Sequence, residues 1–364
     1  MQFKNIKNQH VLINHLTEII DAGRVSHAQL FVGETQSGSL ALAIAYMQYL
    51  CCANRQHYAA DAEGHYHTAD GSETLLHADS CGECPSCRKF EALVHSDLHF
   101  VHPTVVPKNE KSENTSSEYY TELFREFLQK YGQYGTLAQW YDEMDVENRQ
   151  GIIRELDAAN IIRYIGLTPY EAPYKMVIVW HCEKMNDSAA NELLKTLEEP
   201  TGNAVIIMLT DSAEKILPTI LSRTQQVFIP SQPGSAFADR EAEFAPLFVA
   251  WMRMLFKLNM SKLSAWVEPV SKMGREPQKQ FLLYCMEALR ECFMRNVTQG
   301  AYKPTMDFAD EKFNQSFYTV ITQRNISLMN EALNHTLFAI ERNASPALAF
   351  MALSFKMSSY ISKR

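Results

Sequence analysis

Lys175–Gln226 reads KMVIVWHCEKMNDSAANELLKTLEEPTGNAVIIMLTDSAEKILPTILSRTQQ, an alternation of strand and helix signals with almost no slack between them. Met176–Trp180 is a continuous apolar run between polar neighbours, the pattern of a strand buried on both faces of a parallel sheet. Asp187 or Ser188 can cap the helix that follows, on which Ala190, Leu193, Leu194 and Leu197 share one face before Pro200 ends it. Ala204–Leu209 is a second buried strand, and Pro218 suits the first turn of a short helix that carries Ser222 and Arg223. The stretch specifies an α/β domain built on a parallel sheet.

Within it, NELLKTLEEP (191–200) followed by LPTILSRTQ (217–225) resembles the core of the bacterial clamp-loader family, the AAA+ subunits that open and place the sliding clamp in replication. A helix with a leucine face and a Glu-Glu-Pro end says little alone. The whole run at this spacing is specific.

Composition agrees with that class. At 364 residues the chain exceeds one ordinary domain and has ample material for a core. A hydrophobic fraction of 46% and a charged fraction of 21% are those of a globular protein. The formal charge of −8 gives no overall electrostatic footprint for sequence-independent DNA binding. No stretch approaches ~18 unbroken apolar residues, and MQFKNIKNQH carries no apolar signal core. The expected setting is the cytoplasm, with no membrane partner, where eight cysteines stay reduced unless they hold metal.

Nearer the start, Asn8–Ala22 reads as an amphipathic helix, and SHAQLFVGE is a strand running into a glycine turn. His27, Ala28, Leu30, Phe31 and Gly33 resemble the family's entry to its nucleotide loop. A working phosphate loop reads G-x-x-x-x-G-K-[ST], in which the lysine reaches the terminal phosphate and the hydroxyl holds magnesium. Here Gly33 and Gly38 remain, but the lysine position is Ser39 and the hydroxyl position is Leu40. Counting back from Asn191, the Asp-Glu pair of an ATPase falls on Trp180 and His181, neither of which replaces a magnesium-binding aspartate. Glu183 stands two positions late. Two independent losses predict a degenerate site without ATP hydrolysis.

The helix Leu40–Leu50 ends in Cys51 and Cys52, and Cys81-Gly-Glu-Cys84-Pro-Ser-Cys87 follows an insertion. Three cysteines at C-x2-C-x2-C spacing fit tetrahedral thiolate coordination and need one further ligand. The family pattern supplies it from the end of the preceding helix, best at Cys52, with Cys51, His57 and His77 as alternatives. The resemblance thus implies a structural Zn2+ on Cys52, Cys81, Cys84 and Cys87, within a module at about 51–90.

Residues 54–79, with His57, His65, His67 and His77, are longer than the family's usual connection and read as a solvated insertion. His95-Ser96-Asp97 resembles the family's His-Pro-Asp before a strand at Leu98–His102. A second insertion covers about 104–149: a polar run at 108–118, then a stripe of Leu123, Phe124, Phe127, Leu128 and Tyr131 with Trp140 and Tyr141 beyond. Such stripes are mostly core, with a partner-facing surface as the alternative. Gln150–Leu167 reads as a helix through Ile152, Ile153, Leu156, Ile161 and Ile162.

The expected organisation is an AAA+-like domain at 1–230, a linker or reduced lid at 231–243, and an all-α collar domain at 244–364. The collar helices are placed at Phe244–Leu258, Pro277–Met294, Ile326–Arg342 and Pro346–Ile361. About a dozen linker residues cannot build the small lid that the family places before its collar. The combination of broken phosphate loop, cysteine module and intact Ser222-Arg223 resembles the delta-prime branch of the family. It implies a non-hydrolysing ring member that meets motor (gamma/tau-type) and delta-type subunits, and reaches the sliding clamp and primer-template DNA through the complex. In that branch Arg223 would act in trans as an arginine finger, whereas the alternative is that it merely caps its short helix. Two other readings are an active ATPase motor subunit, which needs the missing lysine and Asp-Glu pair, and a zinc-stabilised DNA-binding module, against which the acidic balance counts.

Overall fold

The computed structural model describes residues 1–364 apart from 7–8, 34–36, 62–65, 69–70, 108–114, 133–134, 146–149, 201, 231–240, 257–259, 303, 305, 307, 309 and 363–364. The chain forms two compact units, Met1–Gln232 and Pro233–Arg364. His65 and most of the polar run at 108–118, together with the linker up to residue 240, lie outside the described residues.

The first unit begins with α1 (His10–Asp21), β1 (Ala28–Val32) and α2 (Ser39–Cys51). Five two-residue strands follow: β2 (Gln56–His57), β3 (Ala59–Ala60), β4 (Tyr66–His67), β5 (Glu73–Thr74) and β6 (Ala78–Asp79). Then come α3 (Pro85–Glu91), β7 (Leu98–Val101), α4 (Thr121–Tyr131), α5 (Leu137–Glu143), α6 (Glu155–Ile165) and β8 (Lys175–Val179). The unit closes with α7 (Asp187–Glu198), β9 (Ala204–Thr210), α8 (Pro218–Leu221) and β10 (Gln225–Phe228).

Five strands make one parallel sheet in the order β10-β1-β9-β8-β7. Its inner strands β8 and β9 are buried along their whole length because both of their faces are covered, whereas the edge strand β10 is largely exposed. Met176, Ile178 and Trp180 enter a core with α1, α2, α4 and α5, while Val177 and Val179 enter a second core with α6, α7 and α8. The edge strand β7 is anchored by Asp97, a fully buried carboxylate. Asp97 accepts from the amides of Tyr170 at 2.8 Å, Glu171 at 2.7 Å and Ala172 at 2.9 Å, and from Lys175 Nζ at 2.7 Å. Burial alone would raise its pKa, but these donors win and hold it at about 2.

Several local expectations change. The cap of α7 is Asn186, whose side chain accepts from the Ala189 amide at 2.8 Å, and not Asp187 or Ser188. Ile152 and Ile153 are not helical: Ile152 bridges Thr104 in antiparallel fashion, and α6 starts only after Arg154, whose amide donates to Asp157 at 2.9 Å. The 54–79 insertion is not simply solvated, since its small antiparallel pairings return the chain to a buried Asp79 that accepts from the Phe3 and Lys4 amides. The 104–149 insertion is core: Phe124, Phe127 and Trp140 are among the most buried large side chains of the unit.

The second unit is helical: α9 (Glu241–Phe256), α10 (Met260–Lys272), α11 (Arg275–Val297), α12 (Glu311–Ser316), α13 (Ile326–Glu341) and α14 (Pro346–Ser362). These helices share one buried core, in which Trp251 stacks on Trp266 and donates through Nε1 to Ser354 Oγ at 2.8 Å. Helix α9 starts three residues before the expected Phe244, and α10 was not expected. Among the described residues no helix is long and apolar enough to cross a membrane.

Candidate functional site

The sheet's carboxyl end is where a nucleotide site belongs in an open α/β fold. Gly33 leaves β1 with its amide donating to the Thr210 carbonyl at 3.0 Å. A Cβ on Gly33 would lie 2.4 Å from Ser37 Oγ and 3.0 Å from Ile229 Cβ, so any larger residue would force its neighbours to shift. Gly38 takes φ +80° and turns the chain into α2, a left-handed conformation that favours glycine. Residues 34–36 between the two glycines lie outside the described residues. The chemistry is different. Leu40, at the hydroxyl position, is 3% exposed and belongs to the core.

At the end of β8, Trp180 is 4% exposed and packs against Phe124 and Phe127 of the inserted helix α4, with ring centroids 5.6 and 5.7 Å away. His181 follows at φ +53°, and its Nδ1 lies 2.7 Å from Glu183 Oε1. Burial pushes Glu183 upward, but the adjacent His181 outweighs it and holds the carboxyl at about 2. Its second oxygen is buried and has no hydrogen-bond partner among the described residues. The nearby carboxylate is thus committed to a histidine inside the protein. Ser39, Leu40, Trp180 and His181 stand where the sequence resemblance places the lysine, the magnesium-binding hydroxyl and the Asp-Glu pair.

A second site forms where α2 ends. Cys52 leaves the helix in extended conformation, and its Sγ joins those of Cys81, Cys84 and Cys87, all four within 4.8 Å of one another. Cys51 is still helical and points elsewhere, its thiol 3.3 Å from Met176 Sδ. His77 contacts Thr17 Oγ1 at 3.0 Å, and His57 faces Asp21, so neither joins the cluster. Backbone amides serve the sulfurs: Cys81 N–H donates to Cys52 Sγ and Cys84 N–H to Cys81 Sγ, each at 3.3 Å, while Cys87 N–H donates to Cys84 Sγ at 3.5 Å. Cys84 thereby caps α3, with Pro85 at its first position. The Cys87 thiol, bonding to Cys52, pulls the Cys52 pKa down to about 5, and the same contact pushes Cys87 up. A tetrahedron of sulfurs ~2.3 Å from a zinc ion has edges of about 3.8 Å. The Cys52–Cys81 and Cys81–Cys87 separations are 3.5 and 3.9 Å.

Ser222 and Arg223 lie just past α8, on the surface beside the end of α7. Arg223 Nη1 donates to the Thr219 carbonyl at 3.0 Å and to Ser222 Oγ at 3.3 Å. Its Nε donates to Glu198 Oε1 at 2.6 Å, and Nη2 pairs with the same oxygen. Sequence reading had not identified Glu198. The available signal was the acidic end of NELLKTLEEP, two carboxylates where helix electrostatics favour a cation.

The sequence model of the family described as DNA polymerase III, delta subunit matches residues 8–233. The chain is 26% identical to DNA polymerase III subunit delta' of Bacillus subtilis over 225 residues, 62% of this chain and 48% of that protein. It is 26% identical to the delta' subunit of Pseudomonas aeruginosa over 211 residues, 58% of this chain and 45% of that one. DNA polymerase III subunit gamma/tau of Mycobacterium bovis is 22% identical over 222 residues, 61% of this chain and 27% of that protein. The chain spans about half the length of the delta' relatives it matches. With more than half of its residues matched, the chain belongs to the DNA polymerase III, delta subunit family, on the delta-prime clamp-loader side.

Proposed function

We propose that the chain is a non-hydrolysing delta-prime-type subunit that completes a clamp-loader ring and supplies Arg223 to the ATP site of a neighbouring motor subunit. The observation that carries this reading is the fate of the two halves of its own site. Leu40 and Trp180 are core residues, while Arg223 is kept at the surface within its motif. A guanidinium delivered to a terminal phosphate accelerates hydrolysis by ~10³–10⁵ where it is well placed. The partners in this reading are gamma/tau-type and delta-type subunits, met through the helical unit as a collar, with the lid reduced or missing. Clamp and primer-template DNA are reached through the assembly.

Cys52, Cys81, Cys84 and Cys87 would hold a structural Zn2+, since four thiolates leave no open coordination position. The separations and amide donors described above fit that ion. Bound there, zinc would close the 54–79 insertion at its base.

The test is ATP turnover in the reconstituted complex. Arg223→Ala should leave folding and assembly intact while reducing clamp- and DNA-stimulated hydrolysis, and Arg223→Lys should restore little because an ammonium lacks the planar fork. Unchanged turnover in the assembled alanine variant would leave Arg223 only its contacts within the chain, to Thr219, Ser222 and Glu198.

A further inference from the structure

Arg223 is bound within its own chain. Three of its nitrogens are engaged, two of them by a single oxygen of Glu198. Glu198 is the last residue of α7, and Glu199 is its C-cap. Two adjacent carboxylates at the negative end of a helix are locally unfavourable, where a cation is preferred. The placement breaks a rule of helix design at the point where it meets the proposed finger, and such breaks mark functional positions. Both side chains stay accessible, at 30% exposure for Arg223 and 48% for Glu198, so the pair is open to exchange with an outside anion.

We propose that Glu198 is the positioning residue of Arg223, an internal carboxylate that holds the guanidinium until a neighbour's phosphate displaces it. The inference rests on the reading of Arg223 as a finger. Carboxylate and phosphate present similar oxygen pairs to the guanidinium fork, so the two anions compete for one cation. The competition raises the nucleotide concentration at which the finger engages, because the free, competent arginine is only part of the population. The pair also keeps the long side chain from ranging over the surface before assembly. Glu198 thus sets the threshold for engagement and contributes nothing to the bond-breaking step.

Glu198→Gln preserves shape and removes the charge. In the reconstituted complex the KM for ATP should fall about two- to five-fold, the range of a partly exposed ion pair, with kcat unchanged. In the isolated chain, the Arg223 Nε proton should exchange slowly with solvent in the wild type and rapidly in the Gln variant, as read by NMR. An unchanged or raised KM, or equal exchange in both proteins, would overturn the role of Glu198. The Arg223→Ala complex separates the two failures. If it loses stimulated turnover while Glu198→Gln leaves KM unmoved, the finger stands and only the Glu198 role falls. If it turns over normally, both fall.

Discussion

Replacing Trp180 by Asp puts an acidic residue at the end of β8, and the structure predicts that the protein will unfold more easily instead of gaining a nucleotide site. Trp180 is 4% exposed and sits against Phe124 and Phe127, with His181 beside it. A buried tryptophan removes ~150–250 Å² from water. At ~25 cal/mol per Å² that is worth about 4–6 kcal/mol, an upper figure because the unfolded chain is partly collapsed. The new carboxylate would also have to be desolvated among aromatic rings or drawn out of them. The expected loss is therefore about 4 kcal/mol, a large share of the ~5–15 kcal/mol that holds a typical domain together. Trp180→Phe keeps a ring in place and should cost less than half as much. The assay is urea unfolding of the full chain followed by circular dichroism, comparing midpoints at equal slope. A midpoint for Trp180→Asp within about 1 kcal/mol of the wild type would refute the idea that this position has become core. Nucleotide binding by Trp180→Asp combined with Ser39→Lys would refute it independently.

Cys84→Ser should leave the purified protein without stoichiometric zinc by atomic absorption and lower its thermal midpoint, because both a proposed ligand and the α3 cap are altered. Glu183 has its pKa lowered from the ordinary 4.5 to about 2 in the folded state, so its contribution is complete above pH 4.5 and is lost as pH falls toward 2. The stability gap between wild type and Glu183→Gln should accordingly shrink by about 3 kcal/mol across that window, and a pH-independent gap would refute the assignment. In the helical unit, Leu348 is 73% exposed and Phe338 is 52% exposed. Leu348→Glu with Phe338→Glu should leave the circular dichroism spectrum unchanged yet weaken co-elution with the motor subunits on size exclusion, and full co-elution would remove these two side chains from the proposed collar contacts.

The central strands and α7 were legible because each is a short apolar run or stripe with clear punctuation, and tertiary packing asked nothing different of them. Ile152 and Ile153 misled because their spacing continues the stripe of α6 by coincidence. Their backbone instead belongs to a bridge with Thr104 and to the entry to the Arg154–Asp157 cap. Helix α10 was hidden by Pro269 in its last turn, although Leu263, Trp266, Val267 and Val270 repeat at helical spacing. At the cysteine site the sequence left two adjacent candidates, and only the backbone direction at the end of α2 separates Cys52 from Cys51. The contact between Arg223 and Glu198 leaves no periodic trace, since it joins residues on different elements.

The order of strands has a consequence for how the chain is made. β1 lies between β9 and β10, so both of its edges wait for partners encoded far downstream. Roughly 170 residues separate Val32 from Ala204. At ~5–20 residues per second a ribosome needs roughly 9–34 s to supply the first of these partners. During that interval AQLFV is an apolar strand with two unpaired edges, the kind of segment that recruits other chains. The β7–β8 pair can form earlier, but it cannot enclose β1, because β9 must first be laid down between them. Completion of the sheet is therefore a late, long-range event, and the first unit should reach its native state only once residues near 228 have emerged.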